Sequence, residues 1–137
     1  SKDLLDNKEG KDIDLKENLF LTYSQIATAY LKMDEIDKCI EYFLKYLSVA
    51  EEICERSRAF INATSNYIEA RANLAILKQE GLWKGEAPSS LPEIVAEWEA
   101  LYDKSKGIYY QEKLKILTAY QSGELTYSDA IMALALE

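Results

Sequence analysis

Apolar residues recur along this chain at spacings of three and four, and no stretch alternates at two, so the sequence predicts helices and no strands. Between Leu15 and Met33, the residues Leu19, Phe20, Tyr23, Ile26, Ala27 and Tyr30 mark one face of a helix with no Gly or Pro inside it. Asp34 to Asp37 supplies turn-forming and acidic residues, and Asp34 is placed to cap a second helix and oppose its dipole. A tight helical hairpin turning near Met33 to Glu35 is the expected result.

The second segment carries a heptad. Ile36, Phe43 and Ala50 form one row, Ile40, Leu47 and Cys54 another, with Cys39, Tyr46 and Ile53 beside them. So wide an apolar band needs neighbours on two sides. Phe60, Tyr67 and Leu74, and Ile61, Ile68 and Ala75, continue the same phase. Either one helix spans about 35–79, or a short break near Glu55 to Ser57 or at Asn62 to Asn66 preserves phase. Such a length is unusual for a globular helix, which favours a break, and Asn66 with Glu69 has capping-box spacing.

Gly81 ends this stretch with a residue suited to a left-handed cap, and residues 81–90 (GLWKGEAPSS) read as a loop. Ser90 and Glu93 match a capping box, with Pro92 in the first turn, and begin a helix striped by Ile94, Val95, Trp98, Leu101 and Tyr102. Ser105 to Gly107 is either its end or a weak point in a longer helix reaching Tyr120. Ser122 and Gly123 form the next stop, and Thr126 with Asp129 opens a last helix carrying Ala130, Ile131, Leu134 and Leu136. Residues 1–14 have few apolar positions and read as a flexible or short helical lead, leaving 15–137 as one domain.

Composition narrows the chemistry. The chain has 137 residues, 48% hydrophobic and 29% charged, which suits a folded core rather than disorder. Its formal charge of −8 argues against nucleic acid as a partner, since phosphate recognition needs clustered Lys and Arg. Ser1 to Gly10 is polar, unlike a signal peptide, and no run is apolar enough to span a membrane, so a soluble, cytoplasmic protein is expected. Histidine is absent, which removes the usual general base and the commonest metal ligand. With no phosphate-cradling loop or paired-Cys motif either, neither an enzyme nor a cofactor or metal site is expected. Cys39 and Cys54, on one continuous helix, would lie about 22 Å apart and read as reduced, buried thiols.

Tyr23 to Val49, about a fifth of the chain, resembles the tetratricopeptide repeat. Tyr23 stands at the opening aromatic, Ile26 and Ala27 at the Leu-Gly pair, and Tyr30 at the Tyr. Cys39 then occupies the position of the small Ala, and Phe43 that of the Phe. Tyr46 replaces an Ala, and Glu51 falls where the helix-ending Pro belongs, so the second helix should overrun. Ile116 to Tyr120 (ILTAY) echoes Ile26 to Tyr30 (IATAY), but its spacing is not a multiple of the period and later repeats are degenerate or absent. The resemblance implies a binding groove lined by the first helix, with Leu21, Ser24, Gln25, Thr28, Leu31 and Lys32 as candidates. Ser24 and Thr28 stand where relatives that clamp a carboxylate carry a basic residue and an Asn.

Of the ten tyrosines, most read as half-buried helix residues. Trp83 in the loop, and Tyr109 and Tyr110 beside Gly107, are candidate exposed aromatic anchors. Acidic clusters at Glu51, Glu52 and Glu55 and at Glu93, Glu97 and Glu99 read as solvated faces, or as complements to a basic partner.

The sequence therefore predicts an all-α protein of antiparallel helical hairpins, an irregular tetratricopeptide-like bundle or short superhelix of about five to six helices. Its expected function is protein–protein interaction, as an adaptor or scaffold that takes a peptide or helical segment of a partner. The other reading is an oligomerising structural subunit that pairs through the heptad-phased stretch 36–77.

Overall fold

The computed structural model describes residues 2–56 and 61–135, with side-chain placement from residue 15 to 56 and from 62 to 135. The described residues are all helical or loop, without strands. They form α1 (Lys2–Lys32), α2 (Ile36–Arg56), α3 (Ile61–Gln79), α4 (Leu91–Ser105), α5 (Ile108–Gln121) and α6 (Tyr127–Ala135). Consecutive helices pack on one another, and α6 returns to touch α1 and α3 as well as α5. The chain is thus an all-α bundle closed by its last helix.

Helix ends follow local chemistry. Asp34 adopts φ 60°, Gly81 φ 75° and Gly123 φ 86°. Each sits in a double hydrogen-bonded stop: Glu35 N donates to Tyr30 O and Asp34 N to Leu31 O. Leu82 N and Gly81 N donate to Leu77 O and Lys78 O, and Glu124 N and Gly123 N to Ala119 O and Tyr120 O. Asp34 therefore ends α1 rather than capping α2, whose first backbone bond runs from Cys39 N to Glu35 O. Lys106 is the fourth left-handed residue, at φ 55°, and its N–H donates to Tyr102 O, so α4 and α5 are separate helices. Helix starts at Ser90 and Thr126 are capped as expected, their hydroxyls accepting from Glu93 N and Asp129 N.

Helix α1 begins at Lys2, so residues 2–14 of the expected lead are helical and continuous with the rest of one 31-residue helix. Helix α2 ends at Arg56, within the expected interval Glu55 to Ser57, whereas α3 runs uninterrupted across Asn62 to Asn66, which corrects the later break. The two helices are distinct and pack together, and the connection between them lies outside the described residues.

Helix α3 is the centre of the molecule. Every residue from Ile68 to Leu77 is buried, because α2, α4 and α6 surround it. Three of those residues are polar and must find partners inside. Glu69 accepts from the Tyr46 hydroxyl at 2.6 Å and from Lys113 Nζ at 2.7 Å, while Lys113 also donates to Leu134 O. Arg71 forms a forked pair with Glu97, at 2.7 and 3.1 Å, and donates to Ser89 Oγ at 2.9 Å. Among the described residues Asn73 Oδ1 finds no hydrogen-bond partner. Among the described residues of the heptad stretch 36–77, Phe43, Tyr46, Ala50, Ile53, Leu74 and Ala75 are core residues of the monomer, while Ile36, Leu47, Cys54 and Tyr67 are half-buried.

Candidate functional site

Helix α1 has an apolar arc wider than the bundle covers. Phe20, Ala27 and Leu31 turn inward, and Phe20 stacks on Tyr46 of α2 with ring centroids 4.1 Å apart. A second row faces outward. Leu15, Leu19, Thr22, Ile26, Ala29 and Met33 follow one another at alternating spacings of four and three, the spacing of a coiled-coil seam. Leu15 is 63% exposed, Leu19 44% and Met33 61%; Thr22 and Ala29 are exposed and Ile26 is half-buried. Other exposed apolar residues, such as Leu44, Leu82 and Ile108, are dispersed over three other segments, an ordinary occurrence. A continuous row is not ordinary, because water should select charge there.

Charge is missing from this face. From Asn18 through Leu31 no residue is charged, in a protein that is 29% charged overall. Asn18, Leu19, Leu21, Thr22, Gln25 and Ala29 within that run are all exposed. Residues 18–31 of α1 therefore present a neutral surface to solvent on a molecule of net charge −8.

Along one flank of the row lies an aromatic seam shared with α2. Tyr42 packs against Tyr30 at 5.7 Å and Tyr23 at 6.1 Å between ring centroids. Lys45 covers Tyr42 at 4.6 Å and Tyr23 at 6.0 Å, and Lys38 covers Tyr30 at 5.8 Å. All three rings are half-buried, and among the described residues their hydroxyls make no hydrogen bond. Rings fixed by such contacts are ready to meet a partner at low entropic cost.

The six groove candidates on the other flank are divided. Leu21, Gln25 and Lys32 are exposed, and Leu21 is 48% accessible. Ser24 and Thr28 are half-buried, and the Thr28 hydroxyl donates within its own helix to Ser24 O and Gln25 O. Leu31 is a core residue at 5% exposure, so it cannot line a groove. It belongs with Phe20 and Ala27 on the inner arc of the helix, and α6 packs against this same helix.

The aromatic anchors also separate. Tyr110 is buried at 5%, which corrects its expected exposure, and burial first, then the neighbouring Tyr109, pushes its hydroxyl pKa up. Tyr109 stays 36% exposed, edge-on to Tyr110 at 5.3 Å, and borders a hollow of about 320 Å³ with Asn62, Ser65 and Asn66. Trp83 is half-buried against the core and closes over Gly85, where an added Cβ would meet its ring at 2.4 Å. Trp98 is fully buried, its indole N–H directed at Ser65 Oγ at 3.4 Å.

The remaining polar chemistry is structural. Cys39 is buried, and desolvation pushes its thiol up to about 12; Cys54 is half-buried, and both are free thiols. Among the described residues no three Cys, Asp or Glu side chains converge as metal ligands, and no helix is long and apolar enough to cross a membrane. The outward row of α1 is a feature that the sequence reading did not single out. It was available there as an apolar arc too broad for one hairpin partner, combined with an uncharged run.

No protein-family model matches the chain, and no curated protein or solved structure shows significant similarity to it.

Proposed function

We propose that this protein is a protein–protein interaction module, an adaptor or scaffold that docks a helical segment of its partner along the outward face of α1. The observation that carries this reading is the row Leu15, Leu19, Thr22, Ile26, Ala29 and Met33, at seam spacing and exposed except for the half-buried Ile26, centred on a run without charge from Asn18 to Leu31. A partner helix laid on it would bury apolar surface that the monomer leaves in water. The rings of Tyr23 and Tyr30 would form one wall of the contact. The resemblance of Tyr23 to Val49 to the tetratricopeptide repeat supports a binding role, although the row lies on a different side of the helix from the groove residues that the resemblance implied.

We place its action in the cytoplasm, where two free thiols stay reduced, and we read it as a binding protein rather than an enzyme. The test is partner capture by the wild type, by Leu19→Glu/Ile26→Glu, and by Leu21→Glu as a control on the opposite flank. The double variant should lose the partner while its circular dichroism stays that of the wild type, and the control should keep it. Equal capture by all three contradicts the assignment.

A further inference from the structure

We infer that the helix taken by this face is α1 of a second copy, running antiparallel, so that the protein forms a two-fold dimer. The inference rests on the docking reading above and adds the identity of the partner. Its ground is the order of side-chain sizes along the row.

In an antiparallel pair of heptad helices, each layer joins an a position of one helix to a d position of the other. The row begins and ends on a large residue, Leu15 and Met33, and its spacings of four, three, four, three and four read the same in both directions. Reversing one copy therefore brings Leu15 opposite Met33, Leu19 opposite Ala29, and Thr22 opposite Ile26, each layer occurring twice about the two-fold axis. Both inner layers then match a large side chain with a small one, which fills space evenly and lets the backbones approach. A parallel pairing would set Ala29 against Ala29 and Ile26 against Ile26, leaving one layer hollow and the next crowded. The row reads as self-complementary in one direction only.

The flanks agree. In the antiparallel register Tyr23 faces Tyr23 of the second copy on one side, and Gln25 faces Gln25 on the other. Lys32 falls beside the uncharged Asn18 of the second copy. Each copy carries −8, yet the stretch that would touch carries no acidic residue from Asn18 to Leu31. That is the surface on which two acidic molecules can approach. Helix α2 lies along the tyrosine flank, bound through Tyr42, and leaves the row itself uncovered, as the exposure of Leu15, Leu19 and Met33 records. The layers run from Leu15 to Met33, about 27 Å of helix at about 1.5 Å per residue. An isologous contact of that length fits a reversible dimer.

The experiment uses the full chain. Light scattering behind size exclusion is run across a dilution series on the wild type, Ile26→Glu and Leu21→Glu. The wild type and Leu21→Glu should pass from dimer to monomer on dilution, while Ile26→Glu should weaken the dimer by more than about tenfold with unchanged helicity. Direction is read by oxidation of Leu19→Cys and Ala29→Cys in a Cys54→Ala background. The antiparallel dimer cross-links the mixture of the two variants and neither alone; cross-linking of each variant with itself overturns the register. A wild type that stays monomeric at the highest concentration overturns the second copy as partner. In that case loss of lysate capture by the double variant of the previous section would preserve the docking reading, and unchanged capture would remove both.

Discussion

Lys113 Nζ on α5 lies 2.7 Å from Glu69 Oε1 on α3, with the lysine side chain 3% exposed and the glutamate 11%. The pair also holds the Tyr46 hydroxyl of α2 and the Leu134 carbonyl of α6, so four helices meet at two charges. Neither ion reaches bulk water, and each depends on the other. Lys113→Met should therefore cost about 3–5 kcal/mol in urea unfolding, by leaving a buried carboxylate with one hydroxyl. Adding Glu69→Gln should recover most of the loss. A single-variant cost below about 1 kcal/mol, the range of an exposed pair, would contradict the burial of this bridge.

Lys106 closes α4 in the left-handed region without the glycine found at Gly81 and Gly123. A side chain there costs about 1–2 kcal/mol, partly offset by the greater freedom that glycine has when unfolded. Lys106→Gly should stabilise the protein by about 0.5–1 kcal/mol. Asp34→Gly should gain less, since Asp tolerates that conformation better. Thermal melts of both variants check the order.

Alkaline pH should destabilise the fold. Burial raises the Cys39 thiol from 9.0 to about 12, so below pH 9 it is protonated in both states and its contribution is complete. As pH rises from 9 toward 12 the unfolded chain ionises and the folded chain does not. The unfolded state then binds fewer protons, and stability falls. Tyr67, Tyr110 and Tyr120 are raised by burial foremost and act in the same direction. Urea midpoints should drop above pH 9, and Cys39→Ala should flatten that drop; a wild-type midpoint constant to pH 11 would contradict it. At neutral pH a thiol reagent should titrate Cys54 well before Cys39.

Gly85 should resist substitution for a steric reason. A methyl group there would overlap the Trp83 ring, so Gly85→Ala should displace the indole into water. In a Trp98→Phe background, the emission of Trp83 should shift to the red; an unchanged spectrum would mean that the loop absorbs the methyl elsewhere.

What could be read from the sequence was local. Ser90 with Glu93, Thr126 with Asp129, and the stops at Gly81 and Gly123 depend on residues within one turn of each other, and each appears in the structure as the spacing implied. The all-helical class followed from the period of the apolar residues. Glu69 shows where local reading ends. Its spacing from Asn66 suggested a helix start, but its partner Lys113 is 44 residues away and no pattern within one helix could announce it. The faces of α1 failed for a related reason. Leu31 and Leu19 are equally apolar, and only the placement of α2 and α6 decides that the first is core and the second is surface. Tyr109 and Tyr110 differ in the same way, as neighbours on opposite sides of α5's boundary with the core.

The outward row of α1 is the centre of this account, and partner capture tests it most directly. Tagged wild type, Leu19→Glu/Ile26→Glu and Leu21→Glu are compared for what they retain, with untagged protein included as one of the prospective partners. The account predicts that the wild type and Leu21→Glu hold the same partner and that the double variant, equally helical, holds none. Retention of that partner by the double variant would contradict it.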